Sequence, residues 1–287
     1  MDRRKLWEAL GRVGQYLFAL VTAVTILAPF YWLAVSSIMG QRELLSVPPH
    51  WIPLEPTFER YRAIFSMATS SEIVQAFKAG MVNSLVVAAG TTAVGLVTGT
   101  LTAYALARFK FRLRDPLIYA YLFTYMVPAI ALVIPLYLIF GQLALIDTKL
   151  GLVLLHSTFV IPFVVWTMKG YFQTIPRDLE EAARIDGCTR LGALWRIVLP
   201  LVAPGLAATV IFSFLLSWDE FLYALIFTAS LSSKTLPVAL AEFSARKAVD
   251  YGLIAAGGVL AALPPVLLAL LFQKWIVKGL TAGGVKG

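Results

Sequence analysis

Apolar residues run along the chain in six long blocks, residues 14–38, 81–106, 116–140, 150–168, 201–228 and 253–273. A bilayer core of about 30 Å needs about 20 helical residues, and each block reaches or nearly reaches that length. Within the blocks the apolar positions are not confined to one helical stripe, which excludes the surface helices of a water-soluble domain. Backbone N–H and C=O groups in hydrocarbon must pair within their own segment, so helices are demanded rather than open strands. The pattern therefore predicts an all-α membrane protein with six transmembrane helices. Only the fifth block carries formal charges, Asp219 and Glu220.

The polar segments between the blocks set the topology. Of the 24 Lys and Arg residues, the larger share lies on the side that holds the N-terminus, the segments 107–115 and 169–200, and the C-terminus. That bias places both termini and segment 169–200 in the cytoplasm, with loops 39–80 and 229–252 outside. The organisation is then a cytoplasmic N-terminus (1–13), a six-span domain (14–277) and a cytoplasmic tail (278–287). The first block is too long for a signal-peptide core and no A-x-A cleavage site follows it, so it reads as a retained span. In loop 39–80, Pro48-Pro49-His50-Trp51-Ile52-Pro53 is stiff and extended. Two short amphipathic helices, 57–66 and 71–78, follow it near the interface.

Composition sharpens this picture by exclusion. The chain is 59% hydrophobic and 14% charged, against about 45–50% and about 25% in soluble domains. Its net charge of +8 clusters beside apolar blocks, which suits membrane anchoring and not a nucleic-acid surface. The single cysteine, Cys188, excludes an intrachain disulfide. Neither His50 and His156 nor the scattered acids have metal-ligand spacing. No nucleophile–base constellation is present, so no catalytic residue is expected. No G-x-x-x-x-G-K-[ST] phosphate loop occurs either, and ATP hydrolysis by this chain is not expected.

Segment 169–200 carries the densest local signals. Thr174-Ile175-Pro176 is a helix start, with Thr174 as N-cap and Pro176 in the first turn. Asp178, Glu180 and Glu181 place acids at the positive end of the helix dipole. Gly187 suits a left-handed C-cap, ending the helix after Ile185 or Asp186. A second helix, 191–198, runs until Pro200 and leads into the fifth span. Ala182 and Ala183 let the first helix approach a partner closely, while Glu181 is available to pair with a basic group.

The spacing Glu181-Ala182-Ala183, three residues, Gly187, nine residues, then Ile197-Val198-Leu199-Pro200 resembles the EAA loop of ABC importer permeases at every fixed position. The resemblance extends through Asn83-Ser84-Leu85, Ala103-Tyr104-Ala105-Leu106-Ala107-Arg108-Phe109, Trp218-Asp219-Glu220-Phe221-Leu222 and the tail Gly279–Gly287. These strings look like the MalG-like permeases of sugar ABC importers, from about residue 14 to the C-terminus. The resemblance implies a type I ABC importer permease fold with a cytoplasmic EAA coupling helix, in a prokaryotic inner membrane. It implies a second, MalF-like permease, two copies of an ATPase that carry the ATP and Mg, and an extracytoplasmic sugar-binding protein. No cofactor is expected on this chain itself. Glu181, Ala182, Ala183, Asp186 and Gly187 become the ATPase-coupling residues.

In the fifth span the family usually reads W-N-E-F, whereas Asp219 stands here beside Glu220. Intramembrane acids cost about 2.5–3.5 kcal/mol each on insertion scales and face a cavity or a partner. On one continuous helix Glu220 shares a polar stripe with Thr209, Ser213 and Ser217, and Asp219 lies about 100° away beside Tyr223. Ser213, Ser217, Trp218, Asp219, Glu220 and Tyr223 are the candidate substrate path, with pairing to the second permease as the alternative. His156 reads as a packing histidine, and Gly95-x-x-x-Gly99 as tight helix packing. Three other functions remain open: a permease for glycerol phosphate, an amino acid or a polyamine, an assembly or insertion factor with no transported solute, and an ATP-independent secondary transporter or channel. The last needs an internal repeat, which is not evident.

Overall fold

The computed structural model describes residues 3–66, 71–244 and 250–284. Arg246 and Lys247, basic residues of loop 229–252, and the last three residues of the tail lie outside the described residues. Every element among those described is helical. The order is α1 (Arg3–Ile38), α2 (Gln41–Leu44), α3 (Glu59–Phe65), α4 (Glu72–Arg108), α5 (Arg114–Met126), α6 (Ala129–Gln142) and α7 (Lys149–Thr174). Next come α8 (Arg177–Ile185), α9 (Arg190–Ala193), a π-helical turn at Leu194–Val198 and α10 (Leu199–Leu201). The chain ends with α11 (Ala203–Trp218), α12 (Leu222–Phe227), α13 (Leu236–Ser244) and α14 (Tyr251–Gly284).

Four helices are long and apolar enough to cross a membrane unbroken, and two bent pairs bring the total to six if each is one span. The unbroken four correspond to the first, second, fourth and sixth blocks. The third block is bent by 100° between α5 and α6, where Pro128 occupies the N-cap of α6. The fifth differs from the sequence expectation. Its helix stops at Trp218 and resumes at Leu222, so residues 201–228 are not one helix. Segment 71–78 also differs: it forms the first turns of α4 and no separate interfacial helix. Glycines and prolines elsewhere are absorbed without a break, Pro29, Pro135, Pro162, Pro264 and Pro265 all lying inside helices.

The chain divides into two compact units, one built from residues up to Val74 with Glu242–Ala262, the other from Gln75–Ala241 with residues from Leu263 on. In the first, Arg60 forms a forked pair with Asp250 and donates to the Met39 carbonyl. Tyr61 donates to Ser37 at 2.8 Å, and Trp51 packs edge-on to Trp32. These contacts fasten the loop after α1.

The second unit holds two cores. Ala103, Tyr104 and Ala107 of α4 pack with Val160, Val164, Met168 and Phe172 of α7 and with Leu194, Val198, Leu199 and Val202. One face of the segment after the EAA sequence is thus buried in the fold. A second core joins Val87, Val133, Phe140, Leu152, Leu155, Tyr223, Phe227 and Val238. Between the cores α4 and α7 touch backbone to side chain. A Cβ on Gly95 would lie 2.6 Å from Val160 and one on Gly99 2.7 Å from Val164, the close approach that small residues permit.

The loop after α12 is pinned in place. Asn83 donates to the carbonyls of Leu231 and Lys234, and Ser84 accepts from the Leu236 N–H, which explains the Asn83-Ser84 string. Asp147, at φ 58°, accepts from the N–H groups of Ala229 and Ser230 and from the Ser233 hydroxyl. Burial alone would raise the Asp147 carboxyl, but these donors outweigh it and hold it well below the usual carboxylate range.

Candidate functional site

The EAA segment folds into a short helix with both ends fixed locally. Pro176, not Thr174, occupies the N-cap. Thr174 is the last residue of α7, where its hydroxyl donates to the Tyr171 carbonyl. That hydroxyl is spent one turn back, so it cannot cap α8. At the other end Gly187 has φ 90°. The Gly187 N–H reaches the Arg184 carbonyl and the Cys188 N–H the Ala183 carbonyl, closing a Schellman cap.

Two adjacent acids on α8 part company. Glu180 is buried and Glu181 exposed, as a rotation of about 100° per residue requires. Glu180 receives the Tyr104 hydroxyl at 2.8 Å and forms an ion pair with Arg108, Nε to Oε1 at 2.5 Å. The Nε–H is not aligned on that oxygen, so this contact is an ion pair and not a straight hydrogen bond. Of the expected coupling residues, Ala183 is buried against the fold, while Glu181, Ala182, Asp186 and Gly187 are exposed. Leu179, Ile185, Leu191 and Trp195 are exposed around them, Ile185 at 86% and Trp195 at 64%. The loop therefore presents apolar side chains beside the exposed carboxylates of Asp178, Glu181 and Asp186.

Downstream, the chain from Arg190 to Leu201 meets α11 at 85°. Pro200 has no N–H to offer the helix, and the preceding π turn at Leu194–Val198 is a form that occurs mostly as single-turn bulges, frequently at functional sites.

The second part of the site is the break after α11. The Glu220 carboxylate accepts the N–H groups of Tyr223 at 2.8 Å and Ala224 at 3.0 Å, capping α12. A side chain that satisfies these donors offers the backbone an alternative to a continuous helix. The expected stripe from Thr209 to Glu220 therefore stops at Ser217, and the placement of Asp219 beside Tyr223 on one helix does not hold. Asp219 is exposed at the C-cap of α11.

His156 closes this arrangement. It is fully buried, with Nδ1 2.7 Å from Ser217 Oγ and Nε2 3.2 Å from Glu220 Oε2. Ser217 is itself buried, so the row Ser217–His156–Glu220 sets an imidazole beside the carboxylate, its Nε2 close but not aligned for a hydrogen bond, and presents no nucleophile. Glu220 and Tyr223 line a cavity of about 680 Å³ together with Phe123, Tyr125, Thr158 and Phe159. Ser213 and Trp218 are buried away from it, Trp218 stacked on Phe214. Of six candidate path residues, the structure brings two to the cavity.

Residues 95–282, more than half of the chain, match the family of binding-protein-dependent transport system inner membrane components. The chain belongs to that family. Similar permeases cover nearly all of it. The inner membrane ABC transporter permease protein YcjP of Escherichia coli is 36% identical, over 98% of each chain. The trehalose/maltose transport system permease MalG of Thermococcus litoralis is 34% identical, over 98% of this chain and 99% of its own. The trehalose permease SugB of Mycobacterium tuberculosis is 39% identical, over 82% and 84%. A crystal structure of a bacterial ABC transporter for alginate import shares the fold, with a TM-score of 0.77 at 22% identity over 94% and 97%.

Within this permease, sequence reasoning missed Glu180, Tyr104 and Arg108 on one side and His156 on the other. Signals for both existed. Glu180 shares an inward face with Ala183, three residues on, whereas Glu181 does not. Ser217 and Glu220 are also three apart, and a polar residue in the neighbouring span was the partner to seek.

Proposed function

We propose that this permease forms half of the translocation path of an ATP-driven sugar importer, with a second permease as the other half. Its EAA loop takes the push of an ATPase pair in the cytoplasm, and an extracytoplasmic binding protein delivers the solute. The observation that carries this reading is the outward face of 177–195. A rigid helix with a fixed Gly187 cap offers Glu181 beside exposed apolar side chains, a surface suited to a protein partner.

Sugar is the favoured solute because the cavity combines a braced carboxylate and hydroxyls with aromatic faces, the lining expected for an oriented polar ligand. The relatives named for trehalose and maltose agree. Ionised, the Glu220 carboxylate disfavours an anionic solute such as a glycerol phosphate. ATP and Mg belong to the ATPase in this reading.

Affinity purification from detergent-solubilised membranes tests the proposal, with Glu181→Lys beside the wild type. An ATPase that accompanies the wild type and is lost or uncoupled in the variant supports it. No ATPase with either protein returns the secondary-transporter reading to the front.

A further inference from the structure

The string Ala103–Phe109 has no part in the mechanism above, yet its two polar side chains meet beneath the coupling helix. We infer that Tyr104 and Arg108 are positioning residues for energy coupling. Through Glu180 they tie α8 to the end of α4, so a push on α8 reaches α4 directly as well as through Gly187 and α9. The inference rests on the reading of α8 as the ATPase contact.

Five contacts define the tie. Arg108 pairs with Glu180 through one nitrogen and donates through another to the Ile175 carbonyl at 3.0 Å, just before α8 begins. Tyr104 donates to the second Glu180 oxygen. Arg177, the first residue of α8, reaches back to the Ala107 carbonyl at 3.4 Å. Arg190, the first residue of α9, lies over the Phe109 ring at 5.0 Å. The Tyr104 ring is itself held edge-on by Phe109 and Phe172. Both helices of the loop are thus fastened to residues 104–109, the last turn of α4 and the residue that follows it.

The tie leads on into the membrane. Tyr104 and Ala107 sit in the same buried core as Val160 and Val164, and at Gly95 and Gly99 the α4 backbone packs directly against those two side chains. Close-packed interiors transmit displacement and do not absorb it. Motion of α8 must therefore carry α4 and α7 with it.

A buried ion pair by itself is weak evidence of more than local structure, so the test reads coupling. The complete importer, with its second permease, ATPase and binding protein, is placed in proteoliposomes as wild type, Glu180→Gln, Arg108→Gln and the swap Glu180→Arg/Arg108→Glu. The measurement is solute taken up per ATP hydrolysed. The single variants are expected to lower this ratio by about tenfold, as losing one member of a buried pair leaves the other uncompensated, and the swap to recover part of it. An unchanged ratio in both single variants overturns the inference. Should those variants fail to accumulate in the membrane, Tyr104→Phe, which removes one hydroxyl and no charge, decides by the same ratio. Absence of any ATPase beside the wild type instead sinks the importer reading, before the variants are compared.

Discussion

Glu180 and Glu181, and again Asp219 and Glu220, stand side by side in the chain, and in each pair one carboxylate turns inward while the other stays exposed. The inward member is the one with a cationic or imidazole partner, Arg108 in the first case and His156 in the second. Adjacent acids repel, and separating them removes that cost while giving each a different task. Glu220 accepts two backbone N–H groups and faces the cavity. Replacing it with Gln turns an acceptor into a donor opposite Tyr223 or Ala224. Hydrogen bonds to a charged group are worth about 1.5–3 kcal/mol, so Glu220→Gln is expected to lower uptake by about tenfold or more. Leu222→Met, a swap that conserves volume, leaves uptake near wild type. Radiolabelled sugar uptake compares the two, and equal small effects return Glu220 to a packing role.

Among the elements, α8 shows what local chemistry reveals and α12 what it hides. Gly187 announces a helix end because φ 90° is reached by glycine at little cost and by other residues rarely, and no tertiary information is needed to see it. A side chain at position 187 meets open space, so substitution strains only the backbone, by about 1–2 kcal/mol. Gly187→Asp should therefore insert and assemble normally while ATP hydrolysis loses its response to loaded binding protein. A normal response in that variant removes the coupling role of the cap. The long apolar blocks were equally legible, since length and hydropathy alone specify a span. The break at 219–221 was not, because apolarity runs through it and a capping carboxylate looks, in sequence, like one more member of a polar stripe. Glu180 was hidden for a related reason: its partners lie 72 and 76 positions away, at Arg108 and Tyr104.

At the scale of the whole molecule, the six blocks become four unbroken helices and two bent pairs, and the bent pairs carry α8's follow-on segment and part of the cavity wall. The orientation proposed for them has a native reporter. Cys188 is the only cysteine in the chain and is half-buried just beyond the Gly187 cap. A membrane-impermeant maleimide is expected to label it in inside-out vesicles and not in intact spheroplasts. The opposite pattern inverts the topology. The corner at Val202 then gives the loop a mechanical character of its own. Because Arg190–Leu201 meets α11 at 85°, almost none of a thrust along the first arm is delivered along the second. In the coupling proposed above the corner serves as a bell crank, swinging α11 about its near end, with the largest excursion at its far end, just before Glu220.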